Sequence, residues 1–285
     1  MKIRGLKYAV ALVCGLLAIA ANAAPNHHIL KTPIRGAANP AALDKANLTY
    51  HGGPTITSAK VVFIFWGSSF ATGGADHTYA TTLQAFRNQF GQTGEYNVIT
   101  QYSGILKTNL GSGTADWFDT SAPPHVVTDA IVQSEVSAYL AGHGAFDNST
   151  IYEVVIPSSS YSDDGLGDDS CGGPNLQYCA YHSNFASGAN DVKYSIEPWP
   201  GCGGCQVSGW TTVQNQEHFV CHETREAVTD PDGTGWWDNS NGFEADDKCA
   251  WSPTPFRVTG TDGTGNVYGY QDEWSNASRR CVQTR

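Results

Sequence analysis

Two uninterrupted apolar runs dominate the hydrophobic pattern of this chain. The first, Tyr8 to Ala20, follows the basic residues Lys2, Arg4 and Lys7 and ends at the small residues Ala21-Asn22-Ala23, the pattern of a secretory signal peptide over residues 1–23. The second, KVVFIFWG at 60–67, is short, β-branched and aromatic. Such a run predicts a strand buried on both faces, and so a sheet covered by helices. IYEVVIP (151–157) and VKYSIEP (192–198) predict two further strands, and the Ser, Gly, Asp and Cys-rich stretch between them reads as a loop. Leu83, Phe86 and Phe90 share one stripe of a helix expected from Asp76 to about Phe90. Thr128 caps a second helix that runs to Leu140 and stops at Gly142. A third covers WTTVQNQEHFVCHETREAVTDP, capped by Thr211 or Thr212 and ended by Pro231. Strands and helices mix without strict alternation, so the expected class is α+β, a mixed sheet covered by helices with a loop-rich C-terminal part. Residues 24–46, rich in Pro, Ala and Asn, read as an extended lead-in or pro-segment, and residues 47–285 as a single domain.

Composition narrows the classes of partner. The formal charge is -11, from 16 basic and 27 acidic residues, and loss of Lys2, Arg4 and Lys7 with the signal peptide makes it -14. Without a basic run, a nucleic-acid partner is excluded, because a phosphate backbone is bound through clustered Lys and Arg. No later stretch has the ~18 apolar residues of a membrane span. The expected location is therefore secreted, extracellular or periplasmic. Seven cysteines survive processing, and an oxidising compartment favours disulfides. The expected pairs are local, Cys171 with Cys179 and Cys202 with Cys205, plus the long-range pair Cys249 with Cys281, leaving Cys221 free.

Candidate chemistry concentrates on the third helix. His218, His222 and Glu226 are four apart and share a face. In His222-Glu223-Thr224-Arg225-Glu226, an imidazole and a carboxylate one turn apart can both reach a zinc ion at ~2.0–2.2 Å. Glu223 then stands beside the open coordination position, where a general base takes a proton from metal-activated water. Eight residues of helix span roughly 12 Å, so His218 and Glu226 cannot share one ion. The pair 222/226 is favoured because Glu223 follows its histidine directly, and 218/222 stays open. A third ligand must come from the acidic turn: Glu244 is expected, with Asp238 and Asp247 next, and Asp230 and Asp232 as further alternatives. The bland alternative is an exposed helix of paired charges.

DPDGTGWWD also fits most of a calcium loop, with Asp230, Asp232, Thr234, the Trp236 carbonyl and Asp238 as donors, but Asn241 stands where a bidentate Glu belongs. Calcium is thus the second cation the sequence allows. His182, in CAYHS, reads as a structural histidine beside a disulfide. No G-x-S-x-G occurs, which argues against a serine hydrolase.

Seven ordered motifs extend this picture: LTYHGGP, KVVFIFWG, CAYHS, HETREAVTDP, GWWD, FEADDKC and DEWSNASRRC. Together they resemble the exordium-like, or phosphate-induced, secreted proteins and their microbial relatives. The resemblance covers most of residues 48–281. It implies an extracellular protein with a zincin-like domain, its His-Glu-x-x-Glu falling on His222, Glu223 and Glu226, and its Glu-x-x-Asp-x-Cys on Glu244, Asp247 and Cys249. Cys221, where relatives more often carry Ser or Gly, and Ala245-Asp246, where Ile-Gly is usual, depart from the pattern. Two functions are therefore expected as alternatives. One is a secreted zinc metallopeptidase acting on peptide or protein substrates. The other is a non-catalytic extracellular or cell-wall-associated binding protein, its acidic turn either holding calcium or merely solvated.

Overall fold

The computed structural model describes residues 29–37 and 45–285. The expected signal peptide, and residues 24–28 and 38–44 of the lead-in, lie outside the described residues. Elements follow in the order β1 (Leu30–Pro33), β2 (Thr49–Tyr50), β3 (Lys60–Trp66), α1 (His77–Phe90), α2 (Gly94–Asn97), β4 (Trp117–Asp119), β5 (Val126–Thr128), α3 (Asp129–Gly142) and β6 (Thr150–Val155). There follow β7 (Tyr161–Asp163), β8 (Tyr178–Ser187), β9 (Asn190–Glu197), α4 (Thr212–Thr229), β10 (Trp236–Trp237), β11 (Phe256–Thr259), β12 (Val267–Tyr270), β13 (Glu273–Ser275) and β14 (Arg280–Val282). The main sheet has the order β1-β8-β9-β6-β3-β4. Strands β9, β6, β3 and β4 run parallel, while β8 is antiparallel to both β9 and β1. The class is mixed α+β, and among the described residues no helix is long and apolar enough to cross a membrane.

The continuous apolar run at 60–67 explains the layering. Alternate residues of a strand point to opposite faces. Val61, Phe63 and Phe65 pack with Leu83, Phe86 and Phe90 of α1 and with Val220 and Val228 of α4. Val62, Ile64 and Trp66 pack on the other face with Val132, Val136 and Tyr139 of α3. Each fully buried phenylalanine of β3 contributes about 1.5–3 kcal/mol relative to exposure. The same alternation on β6 puts Ile151 and Val155 on the α4 side, with Glu153 between them.

Helix α4 starts at a capping box: the Thr211 hydroxyl accepts from the Gln214 N–H, and the Gln214 side chain accepts from the Thr211 N–H. These two bonds satisfy end groups that the helix itself cannot. From Asn215 to Thr229 every residue is buried, so α4 is an interior helix and the exposed, ion-paired alternative does not hold. An interior helix with this much polar sequence must find a partner for each polar group inside the protein.

Two expectations are corrected here. The disulfides are Cys171–Cys202 and Cys179–Cys205, not the local pairs 171/179 and 202/205; Cys249–Cys281 and the free, buried Cys221 stand as expected. The reason is tertiary. Cys179 lies in β8 while Cys171 precedes it in a turn, and the short helical turn Gly203–Cys205 packs across both beside Phe219, so each of its flanking cysteines meets a different neighbour. With all four sulfurs in disulfides, Cys202-Gly-Gly-Cys205 is neither a redox dithiol nor a zinc pair. The second correction is β8 itself, which falls in the Ser, Gly, Asp and Cys-rich stretch read as a loop. Its polar run His182-Ser183-Asn184 is buried because the strand lies inside the sheet, between β1 and β9.

One buried acid of α4 predicts how stability depends on pH. Glu217 accepts from the Gly269 N–H at 2.8 Å with one oxygen, while its other oxygen has no partner among the described residues. Burial pushes its pKa up to about 9. The folded state therefore holds a proton that the unfolded chain releases above the ordinary carboxylate range, and this contribution to stability falls as pH rises from there to about 9. Glu217→Gln is expected to raise the melting temperature by about 2–4 °C at pH 8 and hardly change it at pH 4. Thermal melts of both proteins at the two pH values check this.

Candidate metal centre

The cluster is built from three parts of the chain. Helix α4 supplies His222, Glu223 and Glu226. One turn separates His222 from Glu226, and Nε2 of the first lies 3.1 Å from Oε2 of the second. The chain leaves α4 at Asp230, passes through β10 and returns in the short helical turn Asp247–Cys249. That return puts Asp247 Oδ1 3.6 Å from His222 Nε2, and the Asp247 N–H donates to Glu226 Oε1 at 2.9 Å. The third part is β8, whose alternation turns His182 toward α4. His182 Nδ1 lies 3.0 Å from Glu223 Oε2 and 3.9 Å from Glu226 Oε2, and its Nε2 lies 3.5 Å from Glu244 Oε2.

Two overlapping triads result: His222, Glu226 and Asp247, and His182, Glu223 and Glu226. Within each, one donor atom per residue lies within 4.8 Å of the others, and Glu226 belongs to both. All five residues and Glu244 are buried. A third grouping, Cys171, Cys202 and Cys205, consists of disulfide sulfurs.

The other residues singled out from the sequence stand outside these two triads. His218 faces Gln271, with Nε2 2.8 Å from Oε1, one turn before the cluster. Asp230 accepts from the Gly235 N–H at 2.6 Å, and Asp232 accepts from the N–H and hydroxyl of Thr234 at 3.1 and 2.5 Å. Asp238 is ion-paired with Lys248 and accepts from the Ser240 N–H at 2.9 Å. Asp232 and Asp238 hold their own turns in shape, while Asp230 also bears on His182 and Glu244 through its charge. Glu244 approaches His182 rather than His222. Sequence reasoning missed His182 as a member of the cluster. The signal was available in CAYHS: on a strand, His182 and Ala180 share a face, opposite the apolar Tyr181.

Gln271 fixes the chemistry of His222. Its amide nitrogen donates to the Asp246 carbonyl and to Asp246 Oδ1, at 2.9 and 2.8 Å. Its oxygen must then face the histidines, and it accepts from His218 Nε2 and from His222 Nδ1, the latter at 3.2 Å. With its proton on Nδ1, a neutral His222 turns a lone pair on Nε2 toward Glu226. Two acceptors facing each other at 3.1 Å repel unless a proton or a cation lies between them. Burial opposes charge on His222, whereas the carboxylates of Glu226, Asp247 and Glu223 raise its pKa well above the ordinary imidazole value. Burial, reinforced by Asp247, pushes Glu226 up to about 8.

Polar atoms left over define what fits. His182 Nε2, His222 Nε2, Glu226 Oε2 and both oxygens of Glu244 are buried and have no hydrogen-bond partner among the described residues. One imidazole and two carboxylates form a donor set that suits zinc, and a divalent cation offsets the surplus negative charge. Behind the cluster, Glu153 accepts from the Thr224 hydroxyl at 2.6 Å and burial pushes its pKa to about 8. Arg225 faces the other way, ion-paired with Asp246 and with Glu273 at 2.8 Å.

No protein-family model, curated protein or solved structure matches this chain.

Arg225 is the fixed cation of this region and gives a direct test of its electrostatics. Arg225→Met leaves Asp246 and Glu273 buried without their counter-charge, which is expected to cost about 3–5 kcal/mol. Urea unfolding should show a lower midpoint with an unchanged slope.

Proposed function

We propose that the chain is a secreted zinc-dependent hydrolase, a peptidase by the motif it carries, with His222, Glu226 and Asp247 holding the ion. The observation that supports this most is the triad itself: the imidazole and carboxylate of one helical turn meet a third donor on a separate loop, all buried, with Glu223 one residue along from the first ligand. A bound zinc ion would supply Lewis-acid polarisation and lower the pKa of water to ~7. The chain's own residues do the rest. Glu223, held by His182 at 3.0 Å, is placed to accept a proton and later deliver it to the leaving amine. His182 stands between Glu223 and Glu244, which support its charge when it is protonated and orient its ring. Burial opposes charge on His182, but Glu223, Glu226 and Asp230 outweigh it and raise its pKa. Gln271 holds His222 in the tautomer that presents Nε2. The seven motifs shared with exordium-like proteins and the three disulfides agree with an extracellular setting.

The complete burial of Glu223 favours a second reading, a non-catalytic extracellular binding protein in which the same cation only braces the fold. Mass spectrometry of the purified chain separates these readings when combined with digestion of a denatured protein substrate. The hydrolase reading expects about one zinc per chain, lost in His222→Ala. Glu223→Gln should retain zinc and lose about 10²-fold or more in activity. Zinc-free protein, or Glu223→Gln as active as the parent, overturns it; zinc with no activity in either protein selects the bracing role. Gln271→Leu should weaken zinc about 10–100-fold in a chelator competition by freeing the His222 ring.

A further inference from the structure

We propose that the free edge of β8 is a binding site for an extended peptide carrying a basic residue, and that the chain's own Leu30–Pro33 fills it as a displaceable blocking strand. This rests on the hydrolase reading of the adjacent cluster.

Strand β1 is an edge strand of four residues, antiparallel to β8, with Leu30 opposite His182, Lys31 opposite Tyr181 and Thr32 opposite Ala180. Leu30 and Thr32 therefore share the face on which His182 meets α4. Thr32 is fully buried and its hydroxyl donates to Glu223 Oε1. The other oxygen of Glu223 is held by His182. Both oxygens of the proposed base are thus occupied, one of them by the lead-in. While Thr32 stays, each oxygen of Glu223 already accepts a hydrogen bond from the protein, and β1 covers the strand edge where an extended chain would pair. Glu223 is fully buried with β1 seated in this place.

The seat is specific. On the opposite face Lys31 Nζ is ion-paired with Asp164 and with Asp168, the latter at 2.9 Å, and lies 5.7 Å from the centre of the Tyr178 ring. Asp164 is held in place by the N–H groups of Leu166 and Asp168, at 2.7 and 3.1 Å. Trp251 Nε1 donates to the Pro33 carbonyl at 2.7 Å. These contacts read a basic residue followed by a small hydroxyl-bearing one, presented on an extended backbone. A peptide that takes this place by strand addition gains the same ladder of main-chain hydrogen bonds. Its Lys31-equivalent is selected by Asp164 and Asp168, and its backbone lies across His182 and Glu223.

The test keeps the whole chain. A site-specific protease sequence is inserted between Asn39 and Pro40, and a separate full-length variant carries Lys31→Glu with Thr32→Ala, which weakens the seat without cutting. A fluorescent peptide of residues 29–36 is titrated against intact, nicked and double-variant protein by anisotropy, with zinc content measured on the same samples. The peptide is expected to bind nicked and double-variant protein but not intact protein, and a Lys31→Glu peptide to bind about tenfold more weakly. Hydrolysis of a denatured protein should rise in both opened forms and be inhibited by the unlabelled peptide. If both opened forms retain zinc and cooperative melting, yet neither binds the peptide nor gains activity over the intact chain, the blocking strand is refuted while the metal reading survives. If the peptide binds and zinc is absent, the metal reading falls and the peptide site remains.

Discussion

Negative charge in a low-dielectric interior is the constraint around which this molecule is organised. Helix α4 is buried along nearly its whole length, and the elements packed on it bring further acids with them. Isolated carboxylates cannot stay ionised there, so each needs a donor, a cation or a proton. The protein uses all three means. Arg225 answers Asp246 and Glu273, and Lys248 answers Asp238. Glu217 and Glu153 are raised by burial into a range where they keep protons at neutral pH. What remains is Glu223, Glu226, Glu244 and Asp247 against two imidazoles; burial also draws Glu226 and Glu244 toward their protonated forms, and the proposed cation would take the place of those protons.

The apolar layers make this interior possible. The two faces of β3 anchor α1 and α4 on one side and α3 on the other, so the polar face of α4 is held against β6, β8 and β9 with little freedom to turn away. Precision follows from that rigidity. Glu226 is oriented at Oε1 by a backbone N–H and aimed by Oε2 at His222, while Gln271 sets the ring of His222 from behind. Each of these supports comes from a different segment, which is how a cluster of this kind is preorganised.

Much of the scaffold was legible because it depends on local pattern. The run at 60–67 announced a doubly covered strand, and Thr211 and Pro231 bracketed α4. The spacing of His222 and Glu226 put them on one face, which the structure keeps. What was not legible depends on where loops return. Nothing local distinguishes Asp247 from Asp238 or Glu244, since the choice is made by the turn at 247–249 and by Lys248 claiming Asp238. The disulfide pairing was misread for the same reason, because contacts between distant turns decided it. His182 was hidden by the polarity of its strand, a polarity explained by the acids it faces. The lead-in at 24–46 was read as extended, and its Leu30–Pro33 stretch forms a strand against β8, but the burial of Thr32 on Glu223 had no sequence signature.

The Cys249–Cys281 bond has a consequence for when the cluster can exist. It ties the turn that bears Asp247 to the hairpin of β13 and β14, closing a loop with a separation of 32 residues, for which chain entropy gives about 3–4 kcal/mol. The helical wall depends only on packing, whereas the loop wall depends on this covalent tie. Under reducing conditions the fold loses the tether on one side of the cluster and keeps the other side intact. Completion of the acidic centre is thereby linked to thiol oxidation, so the reduced and the oxidised chain differ at the place where its charges meet.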